Sequence, residues 1–283
     1  MAMSINTNAG AEFATIAAQR AAEMMDEAML RLSTGKRINS AKDDAAGMAV
    51  ATRLAKEIAG LGQALRNAND AQGLIDTGEA ALKEVHTLLL RMREIAVSAS
   101  SDTNTDADRA ALDTEVTALE TEISRIGDQT SWGGKNILDG THNKSNPIRF
   151  HLGPTATNFI DVTLGVVSIA ARGSDLQGSL SLTGSVSSRA NAVSYIAGID
   201  AAISIISARR GNFGAVSNRL TSAITNLETM KSSMVTAKGQ VEDANYAEET
   251  AKLARAQILM QAATAMLAQA NASKNATLKL VTG

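Results

Sequence analysis

A stretch with a seven-residue repeat, from Leu54 to Ala96, constrains the fold of this chain more than any other feature. The apolar residues at every seventh position are Leu54, Leu61, Ala68, Ile75, Leu82, Leu89 and Ala96. This period is typical of a long helix that packs against other helices along one seam. A helix of about 43 residues is about 65 Å long at about 1.5 Å per residue. Such a helix needs partners along its whole length, in its own chain or in neighbouring chains.

The composition limits the classes of protein to which the chain can belong. The 283 residues carry a formal net charge of −2, so no broad basic surface favours binding to nucleic acid. The sequence has no cysteine, which excludes thiolate metal sites, thiol catalysis and disulfides. Aromatic residues make up only 2%, so the core must consist of Ala, Leu, Ile and Met packed helix on helix. No apolar run approaches the length of a membrane span, and a membrane is not predicted as a partner.

Both ends of the chain predict alanine-rich helices, over residues 4–32 and 242–277. The apolar stripe of the first helix is Phe13, Ile16, Ala17, Ala21, Met24, Ala28 and Leu32. Each buried methyl group contributes only about 0.8 kcal/mol, whereas ordering each backbone residue costs about 1 to 2 kcal/mol. We therefore expect the terminal helices to be disordered in the free chain and helical only when they are surrounded.

Between the terminal helices, the pattern predicts a helical framework with a small strand-bearing insert. Ser40 and Asp43 form a capping-box-like start for the long helix, and Thr105 and Asp108 start another over about 105–127. The turn between these two helices is short, which favours antiparallel packing. Residues 148–152 and 160–164 alternate as paired strands, and the Gly/Ser-rich stretch 173–188 is either a loop or a further weak strand. Three-four spacing predicts a further long helix that begins near Ser188.

The fold class that follows is mainly α. Long antiparallel helices should form an elongated coiled-coil rod, with a small β-hairpin in the middle of the chain. A soluble signalling coiled coil fits the sequence less well, because its helices would not be interrupted by strands, by Trp132 and by the two prolines, Pro147 and Pro154.

Several motifs, in order along the chain, resemble bacterial flagellins. Residues 32–47 read LSTGKRINSAKDDAAG, and residues 214–220, 243–249 and 254–259 read GAVSNRL, DANYAEE and ARAQIL. The resemblance extends over roughly residues 1–165 and 199–283. It implies a structural subunit that polymerises into the bacterial flagellar filament, serves motility and has no catalytic activity. The short span between Leu164 and Ala190 resembles that of a flagellin with little or no outer variable domain.

The family layout implies a division of the chain into five parts. Residues 1–40 would be an assembly helix of the inner tube, and 41–130 the N-terminal rod helices. Residues 131–189 would hold the β-hairpin and exposed loops. The C-terminal rod helix would cover 190–237, and 238–283 would form the second assembly helix.

The same resemblance implies partners and a location. The partners are other copies of the chain in a helical homopolymer, hook-associated and cap proteins, and a flagellar type III export chaperone on the C-terminal segment. The filament is extracellular. The first twenty residues lack a basic start, a continuous apolar centre and a small-residue cleavage pattern, which predicts export without a cleaved signal peptide. A hook–filament junction protein, which shares the terminal architecture, is the alternative.

Two sets of candidate site residues follow. The predicted assembly interface consists of Phe13, Ile16, Ala17, Met24, Leu253, Met260 and Leu267. A second patch, at Arg91, Ile95 and Glu115, resembles the surface by which some flagellins are bound by a vertebrate Toll-like receptor. The alternative is that this patch makes only subunit contacts in the filament.

No set of residues predicts catalysis, a metal site or a cofactor. Ser33 and Lys36 match a Ser-x-x-Lys nucleophile pattern, but no Lys-Thr-Gly element accompanies them. His142 and His151 lie near acidic residues, where solvated loops are favoured over a metal site. An enzyme is the weakest reading, because no nucleophile, base and metal converge.

Overall fold

A computed structural model describes residues 7–139, 147–153, 158–164, 167, 182 and 184–282, with side chains through Lys274. The helices are α1 (Ala9–Thr34), α2 (Ala45–Ala99), α3 (Asp106–Gln129), α4 (Arg189–Glu242) and α5 (Tyr246–Thr282). The short strands are β1 (Ser131–Trp132), β2 (Lys135–Asn136), β3 (Ile148–His151) and β4 (Phe159–Val162). The predicted class, long helices with a small β-hairpin in the middle of the chain, is confirmed.

The chain divides into two compact units. Unit 1 contains Met1–Ile58 and Ser233–Gly283, and unit 2 contains Ala59–Ser232. Helices α2 and α4 contribute residues to both units.

The core of unit 2 contains most of the seven-residue stripe that the sequence predicts. Leu61, Ala68, Ile75, Leu82, Leu89 and Ala96 are each 0–1% exposed. Polar contacts show that α4 runs antiparallel to α2: Gln72 Nε2 donates to Ser217 Oγ at 2.8 Å, and Arg93 Nε donates to Asp200 Oδ1 at 2.7 Å. The stripe is therefore the seam at which these helices pack.

Helix α3 begins and packs as the sequence predicts. Thr105 and Asp108 form a full capping box, in which each side chain accepts from the other residue's backbone N–H. Across the short turn, Arg109 Nε donates to the backbone oxygen of Ala99 at 2.9 Å. Further along, Arg91 of α2 pairs with Glu115 of α3. These contacts confirm the antiparallel arrangement of α2 and α3.

The predicted strand pair is also present. β3 and β4 are antiparallel, with Ile148 opposite Val162 and His151 opposite Phe159. A second hairpin, β1–β2, turns at Gly133 and Gly134, whose φ angles of 58° and 79° favour glycine. The sequence signals this turn, but two-residue strands are too short for an alternating pattern. The stretch 173–188 lies largely outside the described residues.

The predicted start of the long helix is wrong. Ser40 does not cap α2, which begins only at Ala45. Asp43 Oδ2 instead accepts from the backbone N–H groups of Asn39 at 3.0 Å and Ser40 at 2.8 Å, and these bonds stabilise a turn before the helix. Asp44 caps the helix, because its Oδ1 accepts from the N–H of Gly47 at 2.8 Å.

Among the described residues, α4 is long and apolar enough to cross a membrane, judged by length and composition alone. A core helix of a water-soluble protein meets the same criterion. The large apolar residues that α4 buries in the core of unit 2 are Tyr195, Ile199, Ile206, Phe213 and Leu220.

Candidate functional site: the terminal helix pair

Helices α1 and α5 pack against each other in unit 1 as an antiparallel pair. Asn8, which caps α1, donates from Nδ2 to the backbone oxygen of Ala270 at 3.3 Å, and Arg31 near the other end contacts Glu249. The buried residues between these points are small and seven apart: Ala14, Ala21 and Ala28 on α1, and Ala256 and Ala263 on α5. Alanine allows the two helices to approach closely, but it buries little apolar area.

One end of this seam holds a buried charge. The Glu249 side chain is only 5% exposed, and its carboxylate accepts from Arg31 Nη1 at 3.3 Å and from Lys252 Nζ at 2.8 Å. Burial raises the pKa of Glu249, but the bond and charge of Lys252 and those of Arg31 outweigh burial, so the pKa lies below its usual value. Glu27 and Glu248 complete this polar cluster by pairing with Arg31 and Lys252.

Beside the cluster, the connections that lead into and out of the pair are bonded to each other. Gly35 ends α1 with a φ of 70°, and its carbonyl accepts from the N–H of Ala244 at 3.0 Å. The N–H of Arg37 donates to the oxygen of Glu242 at 2.7 Å, and Lys36 Nζ lies 2.5 Å from Glu242 Oε1. The bond and charge of Lys36 contribute to a lowered pKa of Glu242. We call this arrangement the backbone clasp.

The outer surface of the pair carries large apolar side chains. Phe13 is 73% exposed, Met24 43%, Leu259 43% and Met266 64%. At about 100° per residue, Phe13, Ala17 and Met24 lie on the same side of the seam as Leu259 and Met266. We call these five residues the exposed apolar face. Ile16 of α1 and Ile258 of α5 are also exposed and point away from the seam.

The residues predicted for assembly thus occupy two different environments. Phe13, Ile16, Ala17 and Met24 are exposed, whereas Leu253, Met260 and Leu267 are half-buried beside the alanine seam. The predicted assembly interface does not include Ile258, Leu259 or Met266, which α5 exposes instead. The signal that could have identified them is the alanine repeat, since its seven-residue spacing marks the side of each helix that faces the partner helix.

The three residues of the predicted receptor patch are not all on the surface. Arg91 is exposed and donates from Nε and Nη2 to Glu115 Oε1 at 3.1 and 2.9 Å, which raises the pKa of Arg91. Ile95, however, is only 3% exposed and belongs to the core of unit 2. The structure therefore presents Arg91 and Glu115 together, without Ile95.

The part of the chain that the structure describes holds no group of three His, Cys, Asp or Glu side chains that could bind a metal ion. His151 is exposed on β3, and His142 lies outside the described residues.

Comparison with known proteins identifies the family. The profile of the bacterial flagellin N-terminal helical region matches residues 5–143, and that of the bacterial flagellin C-terminal helical region matches residues 196–281. The chain belongs to the bacterial flagellin family. A flagellin of Halalkalibacterium halodurans is 38% identical over 255 residues, which cover 90% of this chain and 91% of the relative. Polar flagellin F of Vibrio parahaemolyticus is 28% identical over an alignment that covers 99% of this chain and 100% of the relative.

Among solved structures, the crystal structure of Bacillus cereus flagellin is 30% identical, with a TM-score of 0.48, and covers 57% of this chain and 88% of that one. As a member of the family, this flagellin is a structural subunit of the bacterial flagellar filament and not an enzyme. It polymerises with other copies of itself, and the filament is extracellular.

Proposed function

We propose that copies of this flagellin join one another mainly through unit 1, with the exposed apolar face of one copy packed against α1 or α5 of the next. The observation that carries this proposal is the exposure of Phe13, Met24 and Met266 on a pair of helices whose own seam is alanine. A patch of large apolar side chains on a protein surface is typical of an interaction site.

The energetics of the pair support the same proposal. Each alanine in the seam removes little apolar area from water, so the pair gains little stability from its internal contact. Burying Phe13 and its neighbours against another copy would add the missing apolar contact. The terminal helices would then be stable because copies complete one another.

The geometry also favours open growth over a closed ring or dimer. The exposed apolar residues lie on one side of the seam and, at Ile16 and Ile258, on the backs of both helices. If the exposed apolar face of one copy meets the back of a helix in the next, the contact joins unlike surfaces, and such contacts give a helical filament when the rotation does not close.

We assign the parts of the chain to filament layers in the same way. Residues 1–40 and 238–283 would form the inner tube. Residues 41–130 and 190–237, with the β-hairpin of 131–189, would form the layer around it, and the exposed loops of 131–189 would face the medium. The burial of large side chains in unit 2 supports its role as the part that is folded before assembly.

The further flagellar partners belong to this proposal. Hook-associated and cap proteins would contact the ends of the filament, and an export chaperone would bind the C-terminal segment. Ile258, Leu259 and Met266 would give a chaperone apolar side chains in the C-terminal segment to cover before assembly. The export route would be the flagellar type III apparatus, without a cleaved signal peptide.

We also propose that Arg91 and Glu115 contact a vertebrate Toll-like receptor. The resemblance of the sequence around Arg91 supports this, as does the exposure of the ion pair. Substitution of Arg91 by alanine should reduce receptor signalling, and a wild-type protein that gives no signal would overturn the assignment.

The test of the assembly proposal is truncation. Removal of residues 1–30 takes away most of α1, and we expect it to abolish polymerisation in a sedimentation assay. Unit 2 should keep its helical circular dichroism, because its core contains no residue of α1. Filaments formed by the truncated chain would overturn the proposal.

A further inference from the structure

Several of the large apolar side chains that α1 and α5 leave in contact with solvent are methionines. Met24, Met29 and Met266 are 43%, 44% and 64% exposed, whereas Met92 in the core of unit 2 is 0% exposed. Unlike the aliphatic hydrocarbon side chains, a thioether is readily converted by mild oxidants into a polar sulfoxide. Among the described methionines, Met266 has the largest exposed fraction and is therefore the most accessible to an oxidant.

Met266 lies in a purely apolar part of the exposed apolar face. Ala270 of α5 lies beside Gly10 of α1, because its Cβ is 3.7 Å from the position of a Cβ there. The helices are antiparallel, so Met266, one turn before Ala270, lies one turn after Gly10, next to Phe13 and on the same side of the seam. The side chains that the face presents here, Phe13 and Ala17, cannot donate a hydrogen bond to a polar atom on Met266.

Met24, at the other end of the same face, has different surroundings. It lines a groove together with Arg31, Lys252 and Arg255. These cationic side chains carry N–H groups that can donate to an oxygen added at Met24. The same oxidation should therefore be less unfavourable at Met24 than at Met266, when either residue is covered by another copy.

We propose that Met266 is an oxidation site, and that a copy oxidised there joins the filament less readily. This inference rests on the proposed role of the exposed apolar face in assembly. Before assembly no neighbouring copy covers Met266, so its thioether is accessible whether or not α1 and α5 are paired. In the filament, another copy would cover Met266 and protect it from the oxidant.

The oxidant is hydrogen peroxide in the medium. A lone pair of Met266 Sδ attacks one peroxide oxygen, and the O–O bond breaks as the S–O bond forms. The departing hydroxide takes the proton from the new S–OH group and leaves as water, so the thioether loses two electrons and peroxide gains them. A copy that carries the sulfoxide would bury a polar oxygen without a partner against its neighbour. Burial of such a group should raise the critical concentration for filament growth about tenfold.

The test begins with brief peroxide treatment of unassembled full-length protein. Catalase then removes the oxidant, and growth from filament seeds is measured at a series of protein concentrations. Trypsin cleaves after Arg255 and Lys274, and fragmentation of the peptide between these sites distinguishes the sulfoxide of Met266 from that of Met260. We expect treatment to raise the critical concentration of the wild type about tenfold. The two methionine sulfoxide reductases, one for each epimer, should restore growth of the treated protein.

The matched variants are Met266→Leu and Met230→Leu. Each removes one exposed methionine, but Met230, which is 38% exposed, belongs to α4 in unit 2. Each treated protein is compared with its own untreated sample, so that any effect of the substitution itself cancels. Treatment should raise the critical concentration about tenfold in Met230→Leu and no more than about twofold in Met266→Leu. Met24→Leu should remain sensitive, because it leaves Met266 in place.

A second variant tests the polar group without any oxidant. Met266→Gln places a polar amide on the exposed apolar face, and it should raise the critical concentration of untreated protein. Peroxide treatment of assembled filaments tests protection: the sulfoxide of Met266 should form about tenfold more slowly than in unassembled protein, because access decreases.

Several results would overturn the inference and leave the assembly proposal intact. One is an equal loss of growth in treated Met266→Leu and treated wild type. Others are normal growth of wild-type protein whose Met266 is fully oxidised, and failure of Met266 to react while Met230 is converted. An equal rate of oxidation in filaments and in unassembled protein would show that no copy covers Met266, and it would also overturn the inference. The assembly proposal fails by a separate result, the polymerisation of chains that lack residues 1–30.

Discussion

Substitution of Phe13 by alanine tests the assembly surface most directly. Phe13 is 73% exposed, which leaves about 150 Å² of a phenylalanine's roughly 200 Å² for a neighbouring copy to cover. Alanine at the same place would offer about 60 Å², so the variant loses about 90 Å² of apolar contact and about 2 kcal/mol. A loss of about 2 kcal/mol per added subunit should raise the critical concentration for filament growth about 30-fold.

The assay is growth from filament seeds at a series of protein concentrations, with the unassembled fraction measured after sedimentation. Phe13→Leu keeps most of the apolar area and should give a smaller increase. Phe159→Ala makes the same chemical change at another exposed phenylalanine, 44% exposed on β4 in unit 2, and should affect growth less. Thermal unfolding of unassembled Phe13→Ala should match that of the wild type. Growth of Phe13→Ala at the wild-type critical concentration would refute the reasoning.

Three further predictions concern the stability of unit 2, measured by chemical denaturation of unassembled protein. Leu82 is fully buried in the seam of α2, so Leu82→Ala should lower the free energy of unfolding by about 2 to 5 kcal/mol. A Cβ at Gly62 would meet no other atom within 4 Å, so Gly62→Ala should stabilise α2 by up to about 1 kcal/mol, and a loss of stability would contradict the helix-propensity argument. Burial and the charge of Asp113 raise the pKa of Glu120, while the hydrogen bond from Tyr195 opposes the rise. A raised pKa in the folded state means that the ionised carboxylate destabilises that state, so Glu120→Gln should be more stable than the wild type at neutral pH. The difference should shrink as the pH falls through the raised folded pKa and be lost below the ordinary carboxyl pKa of the unfolded chain.

The sequence was most informative where apolar residues repeat with a fixed period. The stripe from Leu61 to Ala96 predicted a buried seam, and every stripe position in that span is buried. The capping box at Thr105 and the strand pair of β3 and β4 could be predicted equally well, because each depends on residues close together in the sequence. Long-range contacts, such as that between Glu79 and Arg210, could not be predicted, because they depend on the register between two helices.

Predictions were weaker at the ends of the chain, for an identifiable reason. In α1, Phe13 and Met24 are much larger than alanine, and a hydrophobic pattern gives large apolar residues the greatest weight. The helix instead turns Ala14, Ala21 and Ala28 toward α5 and leaves Phe13 and Met24 outside. A pattern of apolar residues does not distinguish contacts within one chain from contacts between copies, so the two surfaces were merged into one predicted interface. The start of α2 was misplaced because the bond between Asp43 and the N–H of Ser40 belongs to a turn, whereas the adjacent Asp44 caps the helix.

The distribution of large buried side chains explains why assembly and folding can be separate events. Among the described residues, the largest fully buried side chains, which include Tyr195, Leu82 and Ile123, all lie in unit 2. Unit 1 buries Ala14, Ala21 and similar small residues, with few large ones. Because burial of apolar area is the main source of folding stability, we expect unit 2 to fold without neighbours and α1 and α5 to depend on them. The terminal helices would then become ordered at the growing end, where each added copy covers the exposed apolar face of the copy before it.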